Sequence, residues 1–127
     1  MTVRKNVHVR SGMLKKLFSR SGDGSPSEID VPGFLNAIEA GNVVIVDVRE
    51  IHEWREGHIG NAAHIPLGDL ARRAAELDTS RPVVTVCRSG RRSLDAVRIL
   101  RHAGFDNVLS LAGGMIAWQR AAQPIER

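Results

Sequence analysis

The sequence lacks several residue types and patterns on which whole classes of protein depend. Its 127 residues include one cysteine, no tyrosine and only two tryptophans. A lone cysteine excludes an intramolecular disulfide, a CxxC redox pair and a cysteine-based zinc site. No apolar run exceeds four residues, as at residues 43–46, whereas a membrane-spanning helix needs about 20. We therefore expect a small cytoplasmic protein with no transmembrane segment.

The excess positive charge, which is +4 at pH 7, lies at the amino terminus. Residues 1–24 contain six basic residues and one acidic residue, whereas the rest of the chain contains 12 basic and 13 acidic residues. We expect residues 1–25 to be a basic, flexible extension and residues 26–127 to form one domain. Apolar and basic residues at 13–18 are compatible with contact at a membrane surface or an acidic partner. The near-neutral domain gives no support for nucleic-acid binding.

From residue 26 onward, strand patterns alternate with helix patterns. Apolar and β-branched runs predict strands at residues 28–30, 43–48, 62–65, 83–86 and 108–111. Helical spacing predicts helices before Gly41, over residues 67–77, over residues 93–103 and after Gly113-Gly114. The alternation predicts an α/β fold, with a central, mostly parallel sheet of about five strands flanked by helices on both faces. Ligands of such sheets bind at the carboxyl ends of strands, here after Asp47 and after Val86.

A short basic turn surrounds the only cysteine, directly after the predicted strand at residues 83–86. Its sequence is Cys87-Arg88-Ser89-Gly90-Arg91-Arg92-Ser93, and a helix follows. Gly90 allows the backbone to turn so that successive N–H groups face one concavity, and the helix N-terminus adds further donors. These donors and the arginines favour the thiolate form of Cys87. The loop predicts a nucleophilic cysteine in an anion-binding cradle, and the alternative is a small buried side chain without chemistry.

Four motifs in order make residues 26–127 similar to a single-domain rhodanese, a rhodanese-like sulfurtransferase domain. The first contains Asp47-Val48-Arg49-Glu50, Glu53-Trp54 and Gly57-His58-Ile59, and the second is Ile65-Pro66-Leu67. The third, residues 87–92, fits the family's Cys-x-x-Gly-x-Arg loop, and the fourth, residues 111–118, fits its Gly-Gly-x-x-x-Trp element. Gly60-Asn61 departs from the common Pro-Gly, but asparagine tolerates a left-handed backbone, so we expect the turn to persist.

The resemblance implies a rhodanese-like fold and a thiosulfate sulfurtransferase activity. The outer sulfur of thiosulfate, or of a related persulfide donor, would pass to a thiol or to cyanide through a persulfide on Cys87. Arg88, Arg91 and Arg92 would bind the anionic donor, and Ser89, Gly90 and Ser93 would complete the substrate-binding loop. No cofactor and no metal is implied. A protein sulfur donor or acceptor is also compatible with the resemblance.

Two other functions remain open. A persulfide carrier or docking module would pass sulfur to a partner protein with little turnover of thiosulfate. A phosphatase or an arsenate reductase on the same scaffold is the other alternative. Related phosphatases use a Cys-x5-Arg loop, whereas Cys87 and Arg92 are separated by four residues, which favours a single sulfur atom over phosphate. An arsenate reductase would need a resolving thiol, and the chain has no second cysteine.

Three further residues are expected to shape the pocket. Asp47 and Arg49 follow a central strand at the same sheet edge as Cys87, and we favour a structural ion pair between them. His58 is expected to order its loop through hydrogen bonds. The six-residue spacing of His52, His58 and His64 does not place them on one helix face, so we interpret them as core or surface side chains rather than metal ligands.

The remaining conspicuous residues are interpreted as structural. We expect the carboxylates of Glu50, Glu53 and Glu56 to form a solvated face. Trp54 and Trp118 are expected to be core anchors. Because no Lys-Ser or Lys-Thr follows Gly113-Gly114, we interpret this pair as a close backbone approach near the cysteine loop and not as a phosphate loop.

Overall fold

A computed structural model describes residues 26–127, which form a five-stranded sheet between two layers of helices. The strands are β1 (Glu28–Ile29), β2 (Val44–Asp47), β3 (Ala63–His64), β4 (Val83–Val86) and β5 (Val108–Leu111). Their order in the sheet is β1-β5-β4-β2-β3, and every neighbouring pair is parallel. The predicted α/β fold with a parallel sheet of about five strands is confirmed. The predicted basic extension, residues 1–25, lies outside the described residues.

Five α-helices connect or follow the strands. They are α1 (Val31–Ala40), α2 (Ile51–Glu56), α3 (Leu67–Arg73), α4 (Arg91–His102) and α5 (Gly114–Arg120). The Asp30 side chain caps α1 by accepting a hydrogen bond from the Gly33 N–H group at 2.8 Å, and Gly41 ends the helix in a left-handed conformation. The helix predicted over residues 67–77 is shorter, because its last turn is a 3-10 turn at Ala74–Glu76.

Two helices near the cysteine loop differ from the prediction. α4 begins at Arg91, two residues before the predicted start at Ser93, so two of the loop arginines belong to its first turn. α2 was not predicted, because it has six residues and none of them is buried. A hydrogen bond of 3.0 Å from the Glu50 N–H group to the Glu53 carboxylate helps to fix its first turn.

Two apolar clusters fill the two sides of the sheet. α1 and α5 pack on one side, where the rings of Phe34 and Trp118 contact each other at a tilt of 54° with their centroids 5.6 Å apart. α3 and α4 pack on the other side, where Leu70 and Leu100 are completely buried. Side chains alternate between the clusters along the central strands, since successive residues of a strand point to opposite faces. Helices therefore flank both faces of the sheet, as predicted.

The sheet brings the ends of β2 and β4 together. Asp47 pairs with Val86, and the Val48 N–H group donates to the Val86 carbonyl at 2.9 Å. The loops that follow Asp47 and Val86 are therefore neighbours, as the topology predicted. In the turn before β3, Asn61 adopts a φ of 68°, which confirms that asparagine supports a left-handed backbone there. Within residues 26–127, no helix has the length and apolar character needed to cross a membrane.

Candidate active site

The Cys87 sulfur lies at the bottom of the basic loop and is surrounded by hydrogen-bond donors. Cys87 is only 1% exposed to solvent. The N–H groups of Gly90 and Ser93 donate to Sγ at 3.1 and 3.3 Å, and the Ser93 hydroxyl oxygen lies 3.4 Å away. Gly90 provides the left-handed turn, with a φ of 103°, that reverses the chain around the sulfur. Donors that converge in this way favour negative charge on the sulfur.

The start of α5 holds the loop from outside. The N–H groups of Met115 and Ile116 donate to the carbonyls of Cys87 and Arg88 at 2.8 and 3.1 Å. A Cβ atom on Gly114 would lie 2.3 Å from the Cys87 carbonyl oxygen, so no larger residue fits without movement. This contact confirms the close backbone approach predicted for Gly113-Gly114. Because both carbonyls bond to α5, they are held on the helix side of the loop while N–H groups face the sulfur.

Arg92 forms a two-pronged ion pair with Glu53 of α2. Its Nη1 and Nη2 atoms lie 2.7 and 2.8 Å from the two carboxylate oxygens, and the Glu53 side chain is 16% exposed. The hydrogen bonds from Arg92 lower the pKa of Glu53 from 4.5 to about 2, and those to Glu53 raise the pKa of Arg92. The interpretation of Glu53 as part of a solvated face is wrong, whereas Glu50 and Glu56 are exposed.

Arg88, Ser89 and Arg91 form the exposed rim of the loop. Within residues 26–127, neither rim arginine lies within ion-pair distance of a carboxylate. The rim therefore carries two cations at the mouth above the buried sulfur. The third arginine of the loop, Arg92, differs from them because Glu53 balances its charge.

Asp47 and Arg49 form the predicted structural ion pair. They are 1% and 5% exposed, and the Arg49 Nη2 atom lies 2.8 Å from the Asp47 carboxylate. The same guanidinium donates to the carbonyls of Glu53 and Gly57 at 3.2 and 2.8 Å. Arg49 therefore joins the end of β2 to α2. This buried pair sets the position of the helix that supplies Glu53 to the cysteine loop.

His58 orders the loop after α2, as predicted. Its Nδ1 atom lies 2.9 Å from the Trp54 carbonyl oxygen, and its ring stacks on the Trp54 indole with centroids 3.5 Å apart. Trp118 is a buried core anchor, but Trp54 is half-buried and stacks on His58 and His64, outside both apolar clusters. In the described part of the chain, no group of three or more His, Cys, Asp or Glu side chains is arranged to hold a metal ion.

Two buried hydroxyl residues near the loop were missed by the sequence analysis. The Ser110 hydroxyl oxygen lies 2.6 Å from that of Ser93, and the Thr85 hydroxyl donates to the Ser93 carbonyl at 2.8 Å. Both residues are completely buried within strands. Their signal in the sequence is a hydroxyl side chain inside an otherwise apolar strand, where an unpaired polar group is costly.

Comparison with known proteins identifies the family to which this fold and loop belong. A family model described as the rhodanese-like domain matches residues 31–121. The chain belongs to the rhodanese-like family, as its motifs predicted.

Individual relatives agree with this assignment. The chain is 36% identical to the putative sulfur carrier protein YrkF of Bacillus subtilis, over 83% of this chain and 58% of YrkF. It is 38% identical to the thiosulfate sulfurtransferase GlpE of Shewanella oneidensis, over 73% of this chain and 92% of GlpE. The crystal structure of a rhodanese-related protein from Thermoplasma volcanium matches with a TM-score of 0.72 and 27% identity, over 78% of this chain and 96% of the other. The chain spans about half the length of two of the curated relatives that it matches, namely 58% of YrkF and 46% of another relative that is 42% identical.

Proposed function

We propose that the chain is a sulfurtransferase that carries the transferred sulfur as a persulfide on Cys87. The observation that carries this proposal is the convergence of the Gly90 and Ser93 N–H groups on the cysteine sulfur, at 3.1 and 3.3 Å. Groups that stabilise a thiolate also stabilise the anionic outer sulfur of a persulfide, because both states place negative charge in the same cradle. The likeness to a relative named as a thiosulfate sulfurtransferase supports the same reaction class.

The proposed reaction has two steps and transfers no proton. In the first step, the Cys87 thiolate attacks the outer sulfur of thiosulfate, and the sulfur–sulfur bond of the donor breaks. Sulfite leaves with the bonding electron pair, and the cysteine now carries the outer sulfur as a persulfide anion. In the second step, cyanide or an acceptor thiolate attacks that outer sulfur. The product is thiocyanate or an acceptor persulfide, and the Cys87 thiolate is regenerated.

We assign donor binding to the rim rather than to all three loop arginines. Arg88 and Arg91 are exposed, and neither is paired with a carboxylate in the described residues. Arg92 was also expected to bind the anion, but its guanidinium is held by Glu53 in a two-pronged ion pair. We therefore propose that the rim arginines attract the donor and that Arg92 stabilises the loop through Glu53.

Burial of the sulfur restricts the shape of the donor. Because Cys87 is only 1% exposed, a donor must present its sulfur on a narrow projection that enters the loop. The outer sulfur of thiosulfate and the end of a cysteine persulfide both meet this condition. The 36% identity to a relative named as a putative sulfur carrier favours a second candidate function, a carrier that receives sulfur from a protein.

Intact mass spectrometry tests the proposal directly. We expect the protein to gain the mass of one sulfur atom on incubation with thiosulfate and to lose it when cyanide is added. Cys87→Ala should gain nothing, whereas Arg98→Ala should gain sulfur normally, because Arg98 is exposed and pairs with Asp95. Sulfur on the Cys87→Ala variant would contradict the proposal. Loading by a protein persulfide but not by thiosulfate would instead favour the carrier.

A further inference from the structure

A chain of two buried hydroxyl groups leads away from the reactive sulfur into the sheet. The Ser93 hydroxyl oxygen lies 3.4 Å from the Cys87 sulfur and 2.6 Å from the Ser110 hydroxyl oxygen. Ser93 and Ser110 are completely buried. The second distance is at the short end for a hydrogen bond between hydroxyl groups. The two hydroxyls therefore form a strong contact next to the cysteine, closed off from solvent.

The sheet accounts for the position of Ser110. It lies on β5, beside β4, and the register pairs it with Thr85, two residues before Cys87. The Thr85 hydroxyl donates to the Ser93 carbonyl at 2.8 Å, so it anchors the backbone of Ser93 and does not touch its hydroxyl. Two strands and the first turn of α4 thus hold the pair of serine hydroxyls in place.

The number of available protons determines which hydroxyl of the pair donates and which accepts. Each serine hydroxyl has one proton to donate, and a thiolate or persulfide anion only accepts. When the sulfur is anionic, Ser110 donates to Ser93, and Ser93 donates to the sulfur. When a cysteine thiol donates to Ser93 instead, Ser93 donates to Ser110, and the Ser110 proton loses its acceptor. The first arrangement satisfies every buried hydroxyl, so the pair favours the anionic sulfur.

We propose that Ser110 is a positioning residue for sulfur transfer, because its hydroxyl directs the Ser93 proton onto the Cys87 sulfur. The inference rests on the proposed function for its role in catalysis. Ser110 touches neither substrate nor sulfur, so its effect passes entirely through Ser93. Hydroxyl donors in series polarise one another, so the hydrogen bond from Ser93 to the sulfur is stronger than it would be without Ser110.

The test measures the alkylation of Cys87 by iodoacetamide across a range of pH, followed by intact mass. We expect Ser110→Ala to slow alkylation near neutral pH by about threefold to tenfold and to move the pH profile upward. Ser93→Ala should have a larger effect, because it removes the direct donor. The double variant should be no slower than Ser93→Ala, since Ser110 acts only through Ser93.

Two control variants separate this role from a structural one. Val108→Ala removes equally buried side-chain atoms from the strand that carries Ser110 but takes away no hydroxyl, and we expect it to leave the pH profile of alkylation unchanged. Ser110→Thr retains the hydroxyl and should keep the wild-type profile. An unchanged profile in Ser110→Ala would overturn the inference, as would a Ser110 effect that persists in the Ser93→Ala background. Should Ser110→Ala not fold, a Ser110→Thr profile displaced from that of the wild type would overturn it.

Sulfur loading in the same variants keeps this inference distinct from the proposed function. If the wild type accepts no sulfur from thiosulfate or from a protein persulfide while the alkylation profiles shift as expected, the proposed function fails and the hydroxyl pair stands. If the wild type is loaded by thiosulfate and Ser110→Ala has the wild-type alkylation profile, the proposed function stands and the inference about Ser110 fails.

Discussion

Replacing Glu53 with glutamine isolates the charge of the ion pair beside the cysteine loop. The carboxylate accepts two hydrogen bonds from Arg92, at 2.7 and 2.8 Å, and a third from the Glu50 N–H group at 3.0 Å. Glutamine keeps the shape of the side chain and one acceptor oxygen for the start of α2. It removes the negative charge and one of the two acceptors for Arg92. The substitution therefore tests the ion pair with little change in packing.

The size of the effect follows from the pKa of Glu53, which the hydrogen bonds from Arg92 lower from 4.5 to about 2. A shift of this size corresponds to at most about 3 kcal/mol of folding free energy. The Arg92 side chain is 34% exposed, so solvent screens the pair, and we expect a loss of about 1–2 kcal/mol at pH 6. For a domain of about 100 residues, this loss lowers the Tm by roughly 5–15 °C.

The loss should depend on pH in a definite direction. Because the pKa of Glu53 is lower in the folded state, its stabilisation is complete above pH 4.5 and disappears as the pH falls towards 2. The difference in unfolding free energy between wild type and Glu53→Gln should therefore fall to roughly less than half by pH 3. Urea denaturation at pH 6 and pH 3 measures this difference, and the other carboxylates cancel because both proteins contain them.

A matched ion pair on the surface provides the control. Glu76 receives two hydrogen bonds from Arg73, both at 2.9 Å, but its side chain is 55% exposed. We expect Glu76→Gln to cause no comparable loss at pH 6. If both variants lost the same unfolding free energy, the argument that burial strengthens the Glu53 pair would be refuted. If Glu53→Gln lost as much at pH 3 as at pH 6, the loss could not come from the charge of the Glu53 carboxylate.

Three further substitutions test other parts of the site. Asp47→Asn leaves a buried arginine without its counter-charge, so urea denaturation should show a loss of about 3–5 kcal/mol, and a loss below about 1 kcal/mol would contradict this. Gly114→Ala should prevent sulfur loading of the cysteine because its Cβ would lie 2.3 Å from a loop carbonyl, whereas Gly104→Ala, with φ also positive but no atom within 4 Å, should load normally. Arg91→Ala should lower kcat/KM for thiosulfate by about fivefold to tenfold, and an equal decrease in Arg98→Ala would show that the effect is not local.

The sequence predicts the elements that are held by apolar burial. The three four-residue strands and four of the five α-helices leave an apolar pattern, because each contributes buried side chains to the two clusters. α2 leaves no such pattern, since none of its six residues is buried. It is held by hydrogen bonds from Arg49 to the carbonyls of Glu53 and Gly57, and such contacts have no periodic signal in a sequence. The position of Cys87 was predictable, because strand order places the end of β4 at the ligand-binding edge.

The missed helix α2 and the interpretation of Glu53 as a solvated side chain have one cause, because the position of Glu53 depends on that helix. Three arginines in the cysteine loop look equivalent in the sequence, but within residues 26–127 only Arg92 meets a carboxylate, one that lies 39 positions earlier on α2. This pairing leaves Arg88 and Arg91 as the two cations of the rim. Under the proposed function, a donor with two negative charges, such as thiosulfate, would meet a rim of opposite charge. Under the proposed function, a loop with three uncompensated cations would retain the departing sulfite more strongly, so the ion pair to Glu53 would favour release of this product as well as stability of the loop.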